Sequence, residues 1–264
     1  MIPVGAPTYG RALEMVSAVY WSTKDVLARR GYAADLLADE GGFGPALRSN
    51  REVLDVLTEA MERAGLRPGA DTGIALDVAS SHFYDAERGV YRLKSENREL
   101  TADGMIAMLE EWIRDYPILS IEDGLAEDDW DGWIALTARL GGRVELVGDD
   151  FFTTHPERIR RGIERKAANS VLIKMNQIGT LTETVQAVKL ARGAGYRTVI
   201  SARSGETEDA TLADLAVGLD GGQIKIGSLA RSSRLAKYNQ LLRIEEEIGG
   251  RFAGASAFRA LRRP

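Results

Sequence analysis

The stretch that decides the fold is residues 144–174, which read VELVGDDFFTTHPERIRRGIERKAANSVLIK. It begins and ends with short apolar runs, VELVGDD and SVLIK, that have the length and composition of buried strands. Between them a helix is predicted over 156–167, beginning at Pro156. This order of elements predicts two parallel strands joined by a covering helix.

The same unit recurs along the chain. Predicted strands end near residues 77, 122, 149, 174, 201 and 225, and from 122 onward the steps are 27, 25, 27 and 24 residues. Helices are predicted over 10–29, 50–64, 102–116, 130–140, 182–193, 209–219 and 234–248. At least six such units favour an α/β fold of the TIM-like (β/α) barrel type. An open, doubly wound sheet is the main structural alternative.

The composition excludes several classes of function. Of 264 residues, 34 are Lys or Arg and 39 are Asp or Glu, so the net charge is −5 and no nucleic-acid partner is expected. The absence of cysteine excludes disulfides, thiol catalysis and thiolate metal sites, and it makes the cytoplasm the expected location. Neither a secretory signal nor an apolar stretch long enough to span a bilayer is present, so no membrane partner is expected.

No linker divides the chain, so one barrel domain is expected over residues 1–249, followed by a C-terminal tail over 250–264. This tail ends in the basic residues Arg259, Arg262 and Arg263. The chain has two histidines, His82 and His155, and we expect both to lie in loops or at the surface. A metal site would therefore depend on carboxylates.

Charged or polar residues follow each predicted strand: Asp77, Glu122 and Asp123, Asp149 and Asp150, Lys174, Arg203 and Ser204, and Lys225. In a parallel barrel the carboxyl ends of all strands lie on one face, where active sites are built. Such residues could simply mark where strands emerge into water. For the whole set we favour a site, because a lysine after three apolar residues is costly to bury unless it is paired or functional. Three carboxylates would select Mg²⁺ or Mn²⁺, and a neighbouring lysine could act as a base.

Several longer motifs carry a family resemblance: DEGGFGP (39–45), SIEDGL (120–125), DDWDGW (128–133), LVGDD (146–150), NSVLIKMNQIGTLTET (169–184), SARSGETEDATLADLAVG (201–218), GQIKIGS (222–228) and AKYNQLLRIEE (236–246). Together they resemble enolase, the glycolytic lyase that dehydrates 2-phosphoglycerate to phosphoenolpyruvate. The resemblance runs from residue 1 to about 259. It implies an enolase-type barrel, a small phosphorylated carboxylate as substrate, Mg²⁺ as cofactor and a homo-oligomer.

The resemblance also implies a role for each matching residue. Asp77, Glu122 and Asp149 match the Mg²⁺ ligands, and Glu122 and Asp149 also face the substrate. Lys174 matches the base that takes the C2 proton, and Glu40 matches the acid that protonates the leaving 3-hydroxyl. Lys225 matches the lysine at the substrate carboxylate, and Arg203 with Ser204 matches the phosphate-binding pair. Without the resemblance, Glu40 would be interpreted as a turn carboxylate beside two glycines.

The sequence departs from the family pattern in three ways. Where the family motif reads S-H-R-S-G-E-T, this sequence has Ala202 in place of an active-site histidine. Where the family reads G-D-E-G-G, this sequence has Ala38 in place of the first glycine. Family members also carry an N-terminal α+β domain before the barrel. The sequence opens at MIPVGAP, so we expect a barrel that lacks that capping domain and at least one strand.

These departures leave two alternatives to an ordinary enolase activity. One is a specialised paralogue that uses a 2-phosphoglycerate-like substrate in secondary metabolism, for example in phosphonate biosynthesis; Ala202 and an open mouth would admit a larger co-substrate. The other is a non-catalytic, enolase-like binding protein.

Overall fold

The computed structural model describes residues 1–258, so the predicted basic end of the tail lies outside the described residues. The helices are α1 (Tyr9–Arg29), α2 (Asn50–Arg63), α3 (Ala102–Asp115), α4 (Trp130–Leu140), α5 (Pro156–Arg165), α6 (Met175–Ile178), α7 (Leu181–Gly193), α8 (Thr211–Gly218) and α9 (Ser232–Ile248). The strands are β1 (Ile74–Asp77), β2 (Tyr84–Asp85), β3 (Val90–Leu93), β4 (Arg98–Leu100), β5 (Ile118–Glu122), β6 (Glu145–Gly148), β7 (Ser170–Lys174), β8 (Arg197–Ser201) and β9 (Gln223–Lys225).

The main sheet is parallel and has the strand order β1-β5-β6-β7-β8-β9. This order advances in one direction, as in a barrel, whereas a doubly wound sheet reverses its order at a switch point. Strands β1 and β9 form the two edges of the described sheet. The sheet nevertheless curls so far that its two edges approach each other at the carboxyl end, where Lys225 Nζ on β9 lies 2.7 Å from Asp77 Oδ2 on β1. The predicted incomplete (β/α) barrel is therefore confirmed, as a curled half-barrel of six strands.

Side chains of the central strands alternate between two apolar clusters. Val171 and Ile173 belong to the main core that the strands form with the helices. Leu172 instead packs with Val147 and Val199 in a separate cluster inside the half-barrel. Since side chains alternate along a strand, Lys174 lies on the same side of β7 as Leu172 and points into the barrel.

The predicted helices and strands agree with the observed bounds to within two residues at each end. The expected caps are also present. Ser49 accepts a hydrogen bond from the backbone N–H of Glu52, and Thr101 accepts one from Gly104. His155 is the N-cap of α5 and is exposed, while His82 is exposed in the 3₁₀ turn Ser80–Phe83. The expectation that both histidines lie in loops or at the surface is confirmed.

Sequence reasoning missed a small antiparallel sheet between β1 and α3, with the order β2-β3-β4. Its strands are two to four residues long and partly exposed, so they carry too few alternating apolar residues to give a strand signal. Tyr91 and Leu93 are buried, and the Tyr91 hydroxyl accepts the backbone N–H of Ala126.

The chain ends of the described structure cover the amino end of the barrel. Phe258 is buried against Val4, Leu119 and Ala257, and the Arg197 guanidinium donates a hydrogen bond to the Ala257 carbonyl. The described part of the segment predicted to be a tail, residues 250–258, therefore contacts the barrel. Among residues 1–258, no helix combines the length and apolar character needed to cross a membrane.

Candidate active site

The carboxyl ends of the strands place five charged side chains at one mouth of the half-barrel. We call them the strand-end ring: Asp77, Glu122, Asp149, Lys174 and Lys225. Three of these residues are buried: Glu122, Asp149 and Lys174 are 5%, 8% and 7% exposed. Charged groups at such depth are rarely tolerated without partners, so their pairing decides what the site can do.

Lys174 is paired with one carboxylate. Its Nζ lies 2.5 Å from Asp149 Oδ2, and both side chains are almost fully buried. Thr154, whose backbone is left-handed at φ +56°, accepts the backbone N–H of Lys174 at 2.9 Å and so holds the end of β7. The predicted base and one predicted metal ligand are thus in direct contact.

Lys225 joins the other two carboxylates of the ring. Its Nζ lies 2.7 Å from Asp77 Oδ2 and 2.7 Å from Glu122 Oε1. Burial raises the pKa of Glu122, although the nearby Lys225 ammonium opposes the shift. Burial also disfavours the charge of Lys225, but Glu122 and Asp77 outweigh it and raise the pKa of that amine.

Asp123, directly after Glu122, is a site residue whose role the sequence did not reveal. Its buried carboxylate accepts the backbone N–H groups of Asp149 at 2.9 Å and Asp150 at 2.8 Å, from a left-handed backbone at φ +43°. Burial raises its pKa to about 7, against those two hydrogen bonds. A signal was available in the two adjacent acids of SIED. Since side chains alternate along a strand, Glu122 and Asp123 cannot both point into the barrel, and Asp123 must have another partner.

The acidic groups fit a divalent cation. Asp149 Oδ1 is buried and has no hydrogen-bond partner among residues 1–258, and carboxylate oxygens of Asp123, Asp149 and Asp150 lie within 4.8 Å of one another. Hard carboxylate oxygens are the ligands that Mg²⁺ prefers. Asp149 is the one member of this group that also belongs to the predicted ligand set of Asp77, Glu122 and Asp149.

The loop around Glu40 docks on the ends of β8 and β9. The Ser204 hydroxyl donates to Glu40 Oε1 at 3.0 Å, and the Glu40 carbonyl accepts the backbone N–H of Ser228 at 2.8 Å. The structure therefore brings the predicted acid to one of the two predicted phosphate-binding residues. The backbone of Ala38 is not left-handed, so alanine meets no strain at this position.

Arg203 and Ser204 lie on the loop that follows β8, and both are exposed. Ala202 precedes them and is buried, so it presents no polar group at the mouth. The Arg203 and Ser204 carbonyls accept hydrogen bonds from the guanidinium of Arg234. Sequence reasoning missed Arg234, because a cation in an amphipathic helix is typical of an exposed face.

The fold and the site together define a class: a (β/α) barrel with carboxylates and lysines at the carboxyl ends of its strands. Comparison with known families agrees with this class. The family model described as "Enolase, C-terminal TIM barrel domain" matches residues 1–261 of the chain. The chain therefore belongs to the enolase family through its C-terminal barrel domain. This membership suggests a lyase-type enzyme, in a family whose barrel domains typically bind Mg²⁺.

Proposed function

We propose that this protein catalyses Mg²⁺-dependent dehydration of 2-phosphoglycerate to phosphoenolpyruvate. The observation that carries the proposal is the buried Lys174–Asp149 pair, at the same end of the barrel as the loop that bears an acid, Glu40. A barrel that served only as a scaffold would gain nothing from burying this pair, since well-packed apolar residues of similar volume are often as stable.

In the proposed reaction Lys174 removes the proton from C2 of the substrate, and the electron pair moves into the adjacent carboxylate to give an enediolate. Lysine accepts a proton only as a neutral amine, so the ammonium paired with Asp149 must first lose its own. Glu40 then gives a proton to the 3-hydroxyl, which leaves as water while the C2–C3 double bond forms. The C2 proton restores the Lys174 ammonium, and Glu40 regains a proton from solvent in place of the one that Lys174 first released there, so the chain is unchanged.

Lys225 would hold the substrate carboxylate; its ability to bind carboxylates supports this role, since its ammonium lies 2.7 Å from two of them. Mg²⁺, held by Asp77, Glu122 and Asp149, would supply positive charge that stabilises the enediolate. Asp149 Oδ1 supports this ligand set, since it is buried and lacks a hydrogen-bond partner among the described residues.

Arg203 and Ser204 would bind the phosphate. Both are exposed at the mouth, and among the described residues no carboxylate forms an ion pair with Arg203. A guanidinium and a hydroxyl are well suited to a phosphate group, because they donate hydrogen bonds to its oxygens. The Glu40–Ser204 hydrogen bond supports this arrangement, because the hydroxyl that leaves is on the carbon next to the one that bears the phosphate.

The test follows absorbance of phosphoenolpyruvate after the protein is mixed with 2-phosphoglycerate and Mg²⁺. Lys174→Ala is the inactive variant, and Lys189→Ala, an exposed lysine on α7, is its matched control. We expect turnover by the wild type and by Lys189→Ala. Wild-type turnover no higher than that of Lys174→Ala would overturn the proposal, and calorimetry with 2-phosphoglycerate would then test the non-catalytic alternative. Sedimentation of the same samples tests the expected homo-oligomer.

A further inference from the structure

Helix α9 sends two cations into the interior of the domain. Arg234 and Lys237 are one helical turn apart and are 1% and 0% exposed. Both donate hydrogen bonds to carbonyls of the loop after β8. Arg234 donates to residues 203 and 204, and Lys237 donates to Thr207. Two buried cations of α9 therefore hold the loop that carries the proposed phosphate-binding pair, by hydrogen bonds to its carbonyls.

The two cations differ in how their charge is compensated. Lys237 Nζ lies 3.1 Å from a carboxylate oxygen of Glu206, which offsets its charge. Within the described part of the chain, no carboxylate forms an ion pair with Arg234, and its buried Nε has no hydrogen-bond partner. Burying an arginine without a carboxylate is unfavourable unless an anion is bound nearby.

The position of Arg234 indicates where that anion would lie. Gly227 has φ +91°, and a Cβ added there would lie 2.9 Å from Arg234 Cδ and 3.0 Å from the Glu40 carbonyl oxygen. The Arg234 side chain therefore packs against Gly227, just after β9, at the point where the Glu40 loop contacts this segment. From there its guanidinium reaches the carbonyls of Arg203 and Ser204.

We propose that Arg234 is a positioning residue for the phosphate site and supplies its uncompensated positive charge. Its two N–H groups fix the loop so that the Arg203 side chain and the Ser204 hydroxyl face the ligand. Its charge then favours a phosphate dianion over a neutral or singly charged group. The inference rests on the proposed function, because it takes residues 203 and 204 as the phosphate contacts.

The test is calorimetry with two ligands that differ only in the phosphate, 2-phosphoglycerate and glycerate, with Mg²⁺ left out so that 2-phosphoglycerate is bound and not dehydrated. Arg234→Met removes the fork and the charge, and Arg234→Lys keeps the charge. The double variant Lys237→Met/Glu206→Gln is the matched control, because it removes a loop anchor without changing the net charge. Thermal unfolding of each variant establishes that it is folded at the assay temperature.

We expect Arg234→Met to weaken binding of 2-phosphoglycerate roughly 10- to 100-fold while binding of glycerate changes less than about threefold. Arg234→Lys should recover most of the loss. The double variant should weaken the two ligands by similar factors. If Arg234→Met does not fold, Arg234→Lys decides: it must bind 2-phosphoglycerate more weakly than the wild type, yet still prefer it to glycerate.

Equal losses for the two ligands, or no loss, would overturn the role of Arg234 while leaving the proposed function intact. A wild type that binds 2-phosphoglycerate no better than glycerate would instead overturn both. Arg203→Ala separates these cases. If it binds 2-phosphoglycerate more weakly than the wild type does, the phosphate site is established independently of Arg234.

Discussion

The two ends of the half-barrel bury charges in different ways. At the amino end Glu145, 2% exposed, lies 2.9 Å from the Arg197 Nε and accepts a hydrogen bond from Gln223 at 2.7 Å. Phe258 and Val4 help to cover this end. At the carboxyl end the ring of carboxylates and lysines opens to solvent, with side chains of Asp77 and Lys225 44% and 37% exposed.

An apolar layer separates the two ends. Val147, Leu172 and Val199 lie between the charged layers, on the side of the sheet that faces the barrel interior. The amino end has its charges cancelled and covered, which is what stability requires. The carboxyl end keeps an oxygen, Asp149 Oδ1, that has no hydrogen-bond partner within residues 1–258, and a ring that solutes can reach. The difference indicates that substitutions at the carboxyl end change activity and that those at the amino end change stability.

The largest expected effect is on turnover. Replacing Lys174 with Met removes the proposed base, so we expect kcat to fall about 10²- to 10⁴-fold, the range that one proton-transfer group typically contributes. Steady-state kinetics at saturating Mg²⁺ would measure it. A loss of less than about tenfold, in a variant whose circular dichroism matches the wild type, would mean that another group takes the proton.

The amino end should respond in the opposite way. Arg197→Met removes the guanidinium that lies 2.9 Å from the buried Glu145 carboxylate, and we expect the free energy of unfolding to fall by about 3 kcal/mol while kcat per folded molecule stays unchanged. Urea unfolding measures the first quantity and active-site titration the second. Arg197→Met/Glu145→Gln should restore much of the lost stability, because it replaces the buried carboxylate with a neutral amide. A loss of kcat with unchanged stability would contradict the division between the two ends.

A change at Asp123 sharpens the comparison within the carboxyl end. Asp123→Asn keeps a residue that tolerates left-handed backbone but replaces one acceptor oxygen with a donor, which then faces a backbone N–H of residue 149 or 150. We expect Mg²⁺ affinity to fall about 10- to 100-fold, as is typical when a group that orients a metal ligand is lost. Calorimetric titration with Mg²⁺ would measure it, with Asp128→Asn as an exposed control.

The smallest expected effect is a pH dependence at the amino end. Hydrogen bonds from the side chain and backbone N–H of Arg67 lower the pKa of Asp71 to about 2. The stabilisation is therefore present above the ordinary pKa and is lost as the pH falls from about 4 towards 2. Since the Arg67 side chain is largely exposed and solvent screens the pair, the contribution should be below about 1 kcal/mol. Urea unfolding measures the free energy of unfolding at each pH. Between about pH 4 and 2 this free energy should fall less steeply for Asp71→Asn than for the wild type, and equal slopes would exclude this role.

The strands and helices that frame the site could be predicted from the sequence, because β5, β6 and β7 are buried and mostly apolar. The small sheet of β2, β3 and β4 could not, because its strands are short and half-exposed. Prediction of the site stopped at a similar limit. Strand ends indicated Lys174 and Asp149, whereas Glu40 reached the site only through the family resemblance.

Buried charges on helices were the other limit. Arg234 occupies a helical position that an aliphatic side chain would normally take, and only the structure places it under the loop after β8. Asp123 reaches the backbone N–H groups of Asp149 and Asp150 from a left-handed backbone that no sequence pattern signals for aspartate. Both residues form hydrogen bonds with the backbone of neighbouring loops, and such bonds give no periodic pattern in the sequence.

Exchange of the substrate's C2 hydrogen with solvent tests the central claim most directly. The protein is incubated with 2-phosphoglycerate deuterated at C2, with Mg²⁺, and loss of deuterium is followed by NMR alongside formation of phosphoenolpyruvate. We predict that the wild type loses deuterium and forms product, that Glu40→Gln loses deuterium without forming product, and that Lys174→Met does neither. Deuterium loss by Lys174→Met at the wild-type rate, or complete retention by the wild type, would contradict the assignment of this mouth as the site of proton abstraction.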